Sequence, residues 1–161
     1  MSTVDVPSSP DPSNSSKRSL SRQYMARILI LGCGRLGRPL GNLLIQNGHH
    51  VIGIRRSPPP DHAGDIEWHT LDIRNSHEVT TLPLDVQQLI VILTPAARAP
   101  EGYRSIYQQG MENVLTYFEQ SPPTPACIFV SATSVYAQQM GQWVNEDSET
   151  KPLSYNGQSL L

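Results

Sequence analysis

The sequence predicts a doubly wound α/β domain, with a largely parallel sheet and helices on both faces. Three observations carry that expectation. Short apolar runs alternate along the chain with stretches whose apolar residues fall at helical spacing. The first apolar run feeds directly into a glycine-rich turn that opens a helix. A length of 161 residues allows one domain with a real core and leaves no room for a separate second domain. Strands alternating with helices call for right-handed crossovers, and hence for parallel pairing.

Residues 1–24 are rich in Ser and Pro, as in Pro7-Ser8-Ser9-Pro10-Asp11-Pro12, and nearly free of apolar side chains. Such a segment cannot offset its ordering entropy by burial, so a disordered tail is expected there. Met25 stands just before the first apolar run and could serve as an alternative translation start. Arg27-Ile28-Leu29-Ile30-Leu31 reads as a buried strand. Leu36, Leu40, Leu43 and Leu44 mark a helix over 36–47, closed by Asn47-Gly48. Val51-Ile52-Gly53-Ile54 is a second strand, and Pro58-Pro59-Pro60 interrupts the chain. A weaker third strand spans 66–71, and Leu89-Ile90-Val91-Ile92-Leu93 is a strong fourth. Residues 102–119 form a second clear helix with Tyr103, Ile106, Tyr107, Val114, Leu115 and Phe118 on one face. After the Pro122-Pro123-Thr124-Pro125 turn, residues 126–130 make a fifth strand, and 137–154 read as loop. Leu160-Leu161 reads as the first turn of a further helix, so the domain, residues 25–161, is expected to be incomplete at its C-terminus and to lack its substrate region.

Composition narrows the function classes. The net charge is −2, from 12 Lys+Arg against 14 Asp+Glu, which gives no electrostatic case for nucleic acid or an anionic membrane. No apolar run approaches the roughly 18 residues that span a bilayer. The two cysteines, Cys33 and Cys127, lack metal-ligand spacing and do not make a disulfide framework. His49, His50, His62, His69 and His77 do not bring three ligands together on one element, so no metal site is expected. A cytoplasmic protein acting on an unknown small molecule is the expectation.

Gly32-Cys33-Gly34-Arg35-Leu36-Gly37 fits G-x-G-x-x-G, and here it follows a strand, opens a helix and precedes a second strand. In that context Gly32 permits the tight turn, Gly34 lets a pyrophosphate approach the backbone, and Gly37 lets the helix pack closely on the sheet. The amides of Arg35 and Leu36 stand at the helix N-terminus, where phosphates bind. This is the Rossmann fingerprint; the plainer alternative is a glycine-rich turn with no ligand. The second strand ends in Arg55-Arg56 instead of the carboxylate that would accept a hydrogen bond from a ribose 2′-hydroxyl. Guanidinium groups suit a 2′-phosphate, and Arg35 could join them, so NADP is favoured, with NAD possible. The alternative for this pair is solvated surface arginines. Thr94-Pro95 follows the fourth strand at the edge that faces the ligand crevice of a doubly wound sheet. Thr94 is a candidate contact to the nicotinamide ribose; equally, Pro95 simply ends the strand.

The run Phe129-Val130-Ser131-Ala132-Thr133-Ser134-Val135-Tyr136, followed by Glu146, Pro152 and Tyr155, resembles the extended short-chain dehydrogenase/reductase superfamily, the NAD(P)-dependent epimerases and dehydratases. Leu71-Asp72-Ile73-Arg74-Asn75 resembles the family's acidic adenine-contacting turn, with Asp72 as its equivalent, and Gly110-Met111-Glu112-Asn113-Val114-Leu115 resembles its fourth-helix motif. The resemblance covers residues 26–161 and implies an oxidoreductase or epimerase, with Ser131 near the cofactor and Tyr155 as the acid/base. The shorter glycine spacing resembles the atypical subgroups. Two positions depart from the family's catalytic set. Ala132 stands where a hydroxyl would orient the substrate oxygen, and Ser159 stands where a lysine would follow Tyr155. A free phenol has a pKa near 10, and a nearby ammonium brings it toward working pH; without one, about one phenol in a thousand is ionised at pH 7. Tyr155 is therefore either a residual catalytic group or a packing residue, and the alternative function is a non-catalytic dinucleotide-binding or sensor module, or an inactive fragment. Ser131 and Thr133, flanking Ala132, are expected to point to the other face if the strand continues that far. Tyr103 and Tyr107, one helical turn apart, are expected to be core residues.

Overall fold

In the computed structural model, residues 25–57, 64–120, 122–138 and 140–161 are described. The expected disordered tail over 1–24, the proline break at 58–60 and His62 lie outside them. Five strands form one sheet: β1 (Arg27–Leu31), β2 (His50–Arg55), β3 (Glu67–Thr70), β4 (Gln88–Val91) and β5 (Ala126–Phe129). Their order is β3-β2-β1-β4-β5, and every pairing is parallel. The chain thus steps outward from β1 to β3, then returns to the other side of β1 for β4. The crevice at a carboxyl edge opens where such an order reverses, here between β1 and β4.

Each strand points alternate side chains to opposite faces, and both faces are covered. On one side α1 (Gly37–Gln46) lays Leu40, Leu44 and Ile45 on Ile28, Ile30, Val51, Ile66 and Ile90. Leu36 and Leu43, which share the helical spacing, remain 60% and 55% exposed, so the packed stripe is narrower than the leucine pattern implies. On the other side Ile106, Met111, Val114 and Phe118 cover Leu29, Leu31, Ile52, Ile54, Leu89 and Val91.

The helix over the second face departs from the continuous one read in the sequence. It runs as α3 (Pro100–Arg104), a π-helical turn (Ser105–Gly110) and α4 (Met111–Glu119), after the intervening short α2 (Ser76–Val79) that the sequence did not signal. Asn75 caps α2, its Oδ1 accepting from the His77 amide at 3.1 Å. A π turn takes more residues than an α turn, so it shifts the phase of everything after it. Met111 accordingly enters the core and Leu115 stays 43% exposed. Two side chains pin this helix to the sheet's carboxyl end: Tyr107 Oη donates to the Leu93 carbonyl at 2.7 Å, and Asn113 Nδ2 to the Ile73 carbonyl at 3.0 Å.

The strand β5 borders only β4, and all four of its residues are exposed. A 3-10 turn (Thr133–Val135) follows it. The last helix, α5 (Tyr155–Gln158), starts before Leu160-Leu161 and has ended there, so those leucines do not begin a new helix. No described helix is long and apolar enough to cross a membrane.

Candidate functional site

A cavity of about 570 Å³ opens at the carboxyl ends of the strands, at the reversal between β1 and β4. Its floor is the glycine turn. Gly32 adopts φ +81°, and the Gly32 and Cys33 amides both donate to the Ile54 carbonyl, at 3.1 and 2.9 Å, tying the turn to β2. A Cβ on Gly32 would sit 2.1 Å from the Ile92 carbonyl oxygen. At Gly34 a Cβ would meet only the Gly32 carbonyl, at 3.9 Å, and would project into open space on the cavity wall. A Cβ on Gly37 would stand 3.1 Å from Ile30 Cγ2, so its absence sets the close approach of α1 to β1. The α1 N-terminus has no side-chain cap and no acidic residue in its first turn. Of its leading amides, that of Arg38 donates to the Gly34 carbonyl at 3.0 Å and that of Leu40 to the Leu36 carbonyl at 3.4 Å, and Pro39 has none, so what the helix offers the cavity is chiefly the positive end of its dipole. Arg35 and Leu36 line the same wall.

Cys33, at the centre of the motif, is fully buried, and burial pushes its thiol up to about 11 despite the opposing charges of Arg55 and Arg38. It is a packing residue, not a nucleophile.

One end of the cavity carries Arg55, Arg56 and Ser57 from the β2 terminus and Asp72 from the turn after β3. Asp72 is itself engaged. Arg74 Nε donates to its Oδ1 and Oδ2 at 2.9 and 3.0 Å, a terminal guanidinium nitrogen also reaches Oδ2, and the Arg74 amide adds a bond of 3.1 Å. These hydrogen bonds hold the carboxyl below its usual range, burial opposes them, and the charges of Arg74 and Arg56 add to the lowering. Among the described residues neither Arg55 nor Arg56 carries an ion pair.

The other end is formed by Thr94 beyond β4 and by Val130, Ser131 and Ala132 beyond β5. Ser131 and Ala132 both line the cavity. The strand stops at Phe129, so the alternation expected to send Ser131 away from Ala132 no longer applies. Several lining residues escaped the sequence reading, among them Ser57, Tyr107 and Leu160. Tyr107, expected in the core, presents part of its ring here, and burial followed by the neighbouring Tyr103 raises its phenol above the usual range. Its one-turn spacing from Tyr103 was visible, but the π turn that aims it was not. Leu160, just past α5, closes one side.

Tyr155 does not line the cavity. Its ring stands edge-on to Tyr103 at 5.5 Å, and its hydroxyl donates to the Arg98 carbonyl at 2.8 Å. Ser159 Oγ donates to the Tyr155 carbonyl at 2.9 Å and brings no positive charge to the phenol. None of the described histidines lines the cavity. His50 and His69 both contact Glu67, at 3.1 and 2.8 Å, and His49 Nδ1 accepts from the Ala26 amide at 3.3 Å.

The model of the NAD dependent epimerase/dehydratase family matches residues 28–158, from β1 to the end of α5. The chain belongs to that family. No curated protein matches it. Among solved structures, it is similar to uronate dehydrogenase from Agrobacterium tumefaciens, with 18% identity, a TM-score of 0.71, and 84% of this chain against 52% of that one. The enzyme WbmH from Bordetella bronchiseptica, solved in complex with NAD+, shares 20% identity at a TM-score of 0.67, over 84% of this chain and 50% of that one. Glucuronic acid dehydrogenase from Chromohalobacter salexigens shares 18% identity at 0.69, over 83% and 51%. These likenesses establish the fold, and the chain spans about half the length of these proteins.

Membership makes this an NAD(P)-binding chain of the epimerase/dehydratase type, and the site's own geometry fits a dinucleotide. The open Cβ position of Gly34 and the uncapped α1 N-terminus form an anion cradle at mid-cavity. A polar, arginine-bearing end lies to one side and a mixed end, with Thr94, Ser131 and Tyr107, to the other.

Proposed function

We propose that this chain binds NADP(H) in preference to NAD(H), and that it holds the cofactor without using Tyr155 as an acid/base. The observation that carries the preference is the pair Arg55 and Arg56 on the cavity wall where β2 ends, with no ion pair among the described residues. A 2′-phosphate accepts charge-assisted bonds from guanidinium groups, whereas a 2′-hydroxyl needs an acceptor that arginine lacks. In this reading the backbone of Gly32 and Gly34 and the α1 N-terminus receive the pyrophosphate, Gly37 seats α1 against β1 behind them, and Arg35 and Leu36 flank it. Asp72 borders the adenosine half, and Thr94 and Ser131 border the nicotinamide half. NAD(H) uses the same cradle and lacks only the arginine contacts. The two cysteines are unpaired thiols, the state a reducing compartment maintains, which supports a cytoplasmic location.

Replacing Arg55 or Arg56 by alanine should weaken NADP binding by about 1.5 kcal/mol each, roughly tenfold, and leave NAD binding nearly unchanged. Calorimetric titration with both cofactors checks this; equal affinities in the parent chain would overturn the preference.

The Arg98 contact of Tyr155 favours holding over catalysis, because the phenol is spent on a backbone carbonyl outside the cavity. A full oxidoreductase or epimerase is the second reading, favoured by the family match. Across a panel of carbonyl compounds and sugar nucleotides, NADPH oxidation should be the same in Tyr155→Phe as in the parent. A drop of about 10²-fold, the scale of general acid–base catalysis, would make Tyr155 a working acid/base and favour the second reading.

A further inference from the structure

We infer that Arg74 is a specificity-determining residue, which sets the preference for a 2′-phosphate by holding the Asp72 carboxylate away from Arg56. The inference rests on the NADP reading above and deepens it.

Asp72 and Arg56 line the same end of the cavity, and the Arg56 charge acts on the Asp72 carboxyl. An aspartate in that position is the natural intramolecular partner for a free arginine, and a carboxylate and a phosphate compete for the same guanidinium donors. Here the competition is settled elsewhere. Both Asp72 oxygens accept from Arg74 Nε, at 2.9 and 3.0 Å, Oδ2 also accepts from a terminal Arg74 nitrogen, and the Arg74 amide closes the turn at 3.1 Å. The turn is held rigid around this pair. Glu78 Oε2 accepts from the Asp72 amide at 2.6 Å, and Glu78 Oε1 from Asn75 Nδ2 at 2.8 Å. Asn113 Nδ2, from α4, bonds the Ile73 and Arg74 carbonyls at 3.0 and 3.2 Å. The Asp72 side chain is 27% exposed and that of Arg74 41%, so the pair sits at the cavity rim, with Arg74 on the outer side. Only Asp72 of the two borders the main cavity; Arg74 borders a shallower cleft beyond it, with Ser105 and Gln109.

The charges follow from that arrangement. With Arg74 in place, Asp72 is neutralised from behind and Arg56 keeps its donors for a ligand. Without Arg74, the carboxylate carries its full negative charge into the end of the cavity where a 2′-phosphate would bind. It then repels that phosphate and draws Arg56 onto itself. Both effects act on the 2′-phosphate and neither acts on a ligand that lacks it.

The test is a double-mutant cycle on the 161-residue chain, read by calorimetry with two probes, 2′,5′-ADP and ADP, which differ in the extra phosphate. Arg74→Ala should bind 2′,5′-ADP about tenfold more weakly, the scale of one charge-assisted hydrogen bond lost to a competitor, with ADP binding unchanged. Asp72→Asn removes any contact of the carboxylate to the adenosine from both probes alike, so its ratio of 2′,5′-ADP to ADP affinity should be at least that of the parent. In the Asp72→Asn background, Arg74→Ala should have no further effect. An equal loss from Arg74→Ala in both backgrounds would overturn the inference, since it would mean Arg74 touches the phosphate itself. Equal weakening of both probes would overturn it too, as the mark of a merely structural role. The NADP reading fails separately: a parent that binds both probes equally, with Arg56→Ala neutral, removes that reading and this inference with it. A parent that prefers 2′,5′-ADP and loses the preference in Arg56→Ala, but shows no Asp72–Arg74 coupling, sinks this inference alone.

Discussion

Gly32→Ala should destabilise the fold by about 3–5 kcal/mol, the upper range for a single substitution. Two costs add. An alanine at φ +81° bears the left-handed penalty of about 1–2 kcal/mol. Its Cβ would also stand 2.1 Å from the Ile92 carbonyl oxygen and 2.8 Å from its carbon. Neither side can yield cheaply. The Ile92 amide donates to the Leu31 carbonyl at 2.8 Å, which continues the β1–β4 pairing, and the Gly32 and Cys33 amides are tied to Ile54 on β2. Relief therefore means parting β1 from one of its two neighbours at the centre of the sheet. Thermal melting should show Tm lowered by about 10 °C, given about 2–4 °C per kcal/mol for a domain of this size. An unchanged Tm would show that the turn relaxes without disturbing the sheet.

The same turn shows why so much of this fold is legible in the sequence. β1, β2 and β4 are buried on both faces, so their runs Ile28-Leu29-Ile30-Leu31, Val51-Ile52 and Leu89-Ile90-Val91 are continuously apolar and stand out from the chain. The glycine spacing encodes backbone geometry directly, because Gly32 and Gly37 answer steric demands of the chain itself and Gly34 keeps open the space a ligand would need. Legibility fails where the cause is non-local. The π turn over Ser105–Gly110 leaves no mark in the apolar periodicity, which reads through it as one helix. It appears only as the shift that buries Met111 and exposes Leu115. The four-residue α2 depends on a cap from Asn75 and is too short for periodicity to register.

At the site, legibility follows the same division. Of the residues read from the glycine motif and strand ends, Gly32, Gly34, Arg35, Leu36, Arg55 and Arg56 gather around one cavity because parallel strands end together, while Gly37 packs against Ile30 and does not line it. Asp72, Thr94 and Ser131 join them for the same reason. Tyr155 is different: its motif position depends on how α5 packs, and α5 rests on the Thr133–Val135 turn through Gly157, where a Cβ would lie 2.1 Å from the Ser134 carbonyl. That contact is long-range and has no signature in the sequence. The Asp72–Arg74 pair is local, two residues apart, yet its meaning needs Arg56 from another strand.

Gly34→Ala should do the opposite of Gly32→Ala, sparing the fold and strongly weakening cofactor binding. Gly34 does not need a positive φ, and the nearest atom to an added Cβ would be the Gly32 carbonyl oxygen at 3.9 Å, an ordinary contact. Stability should therefore stay within the narrow range of a surface substitution, about 0.5 kcal/mol, with Tm nearly unchanged. The methyl would project into the cavity at the α1 N-terminus, where the pyrophosphate must come against the backbone. Holding the phosphates away lengthens several amide–phosphate bonds at once. At about 1.5–3 kcal/mol for each hydrogen bond to a charged group, two such losses weaken binding by about 10²-fold or more. Because NAD and NADP share the pyrophosphate, both should fall equally, which separates this variant from Arg55→Ala and Arg56→Ala, where only NADP suffers. Titrating each cofactor into the folded variant decides the matter. Binding that survives in Gly34→Ala with its melting profile intact would mean the phosphates do not rest on this turn, and the dinucleotide would have to be placed elsewhere in the cavity.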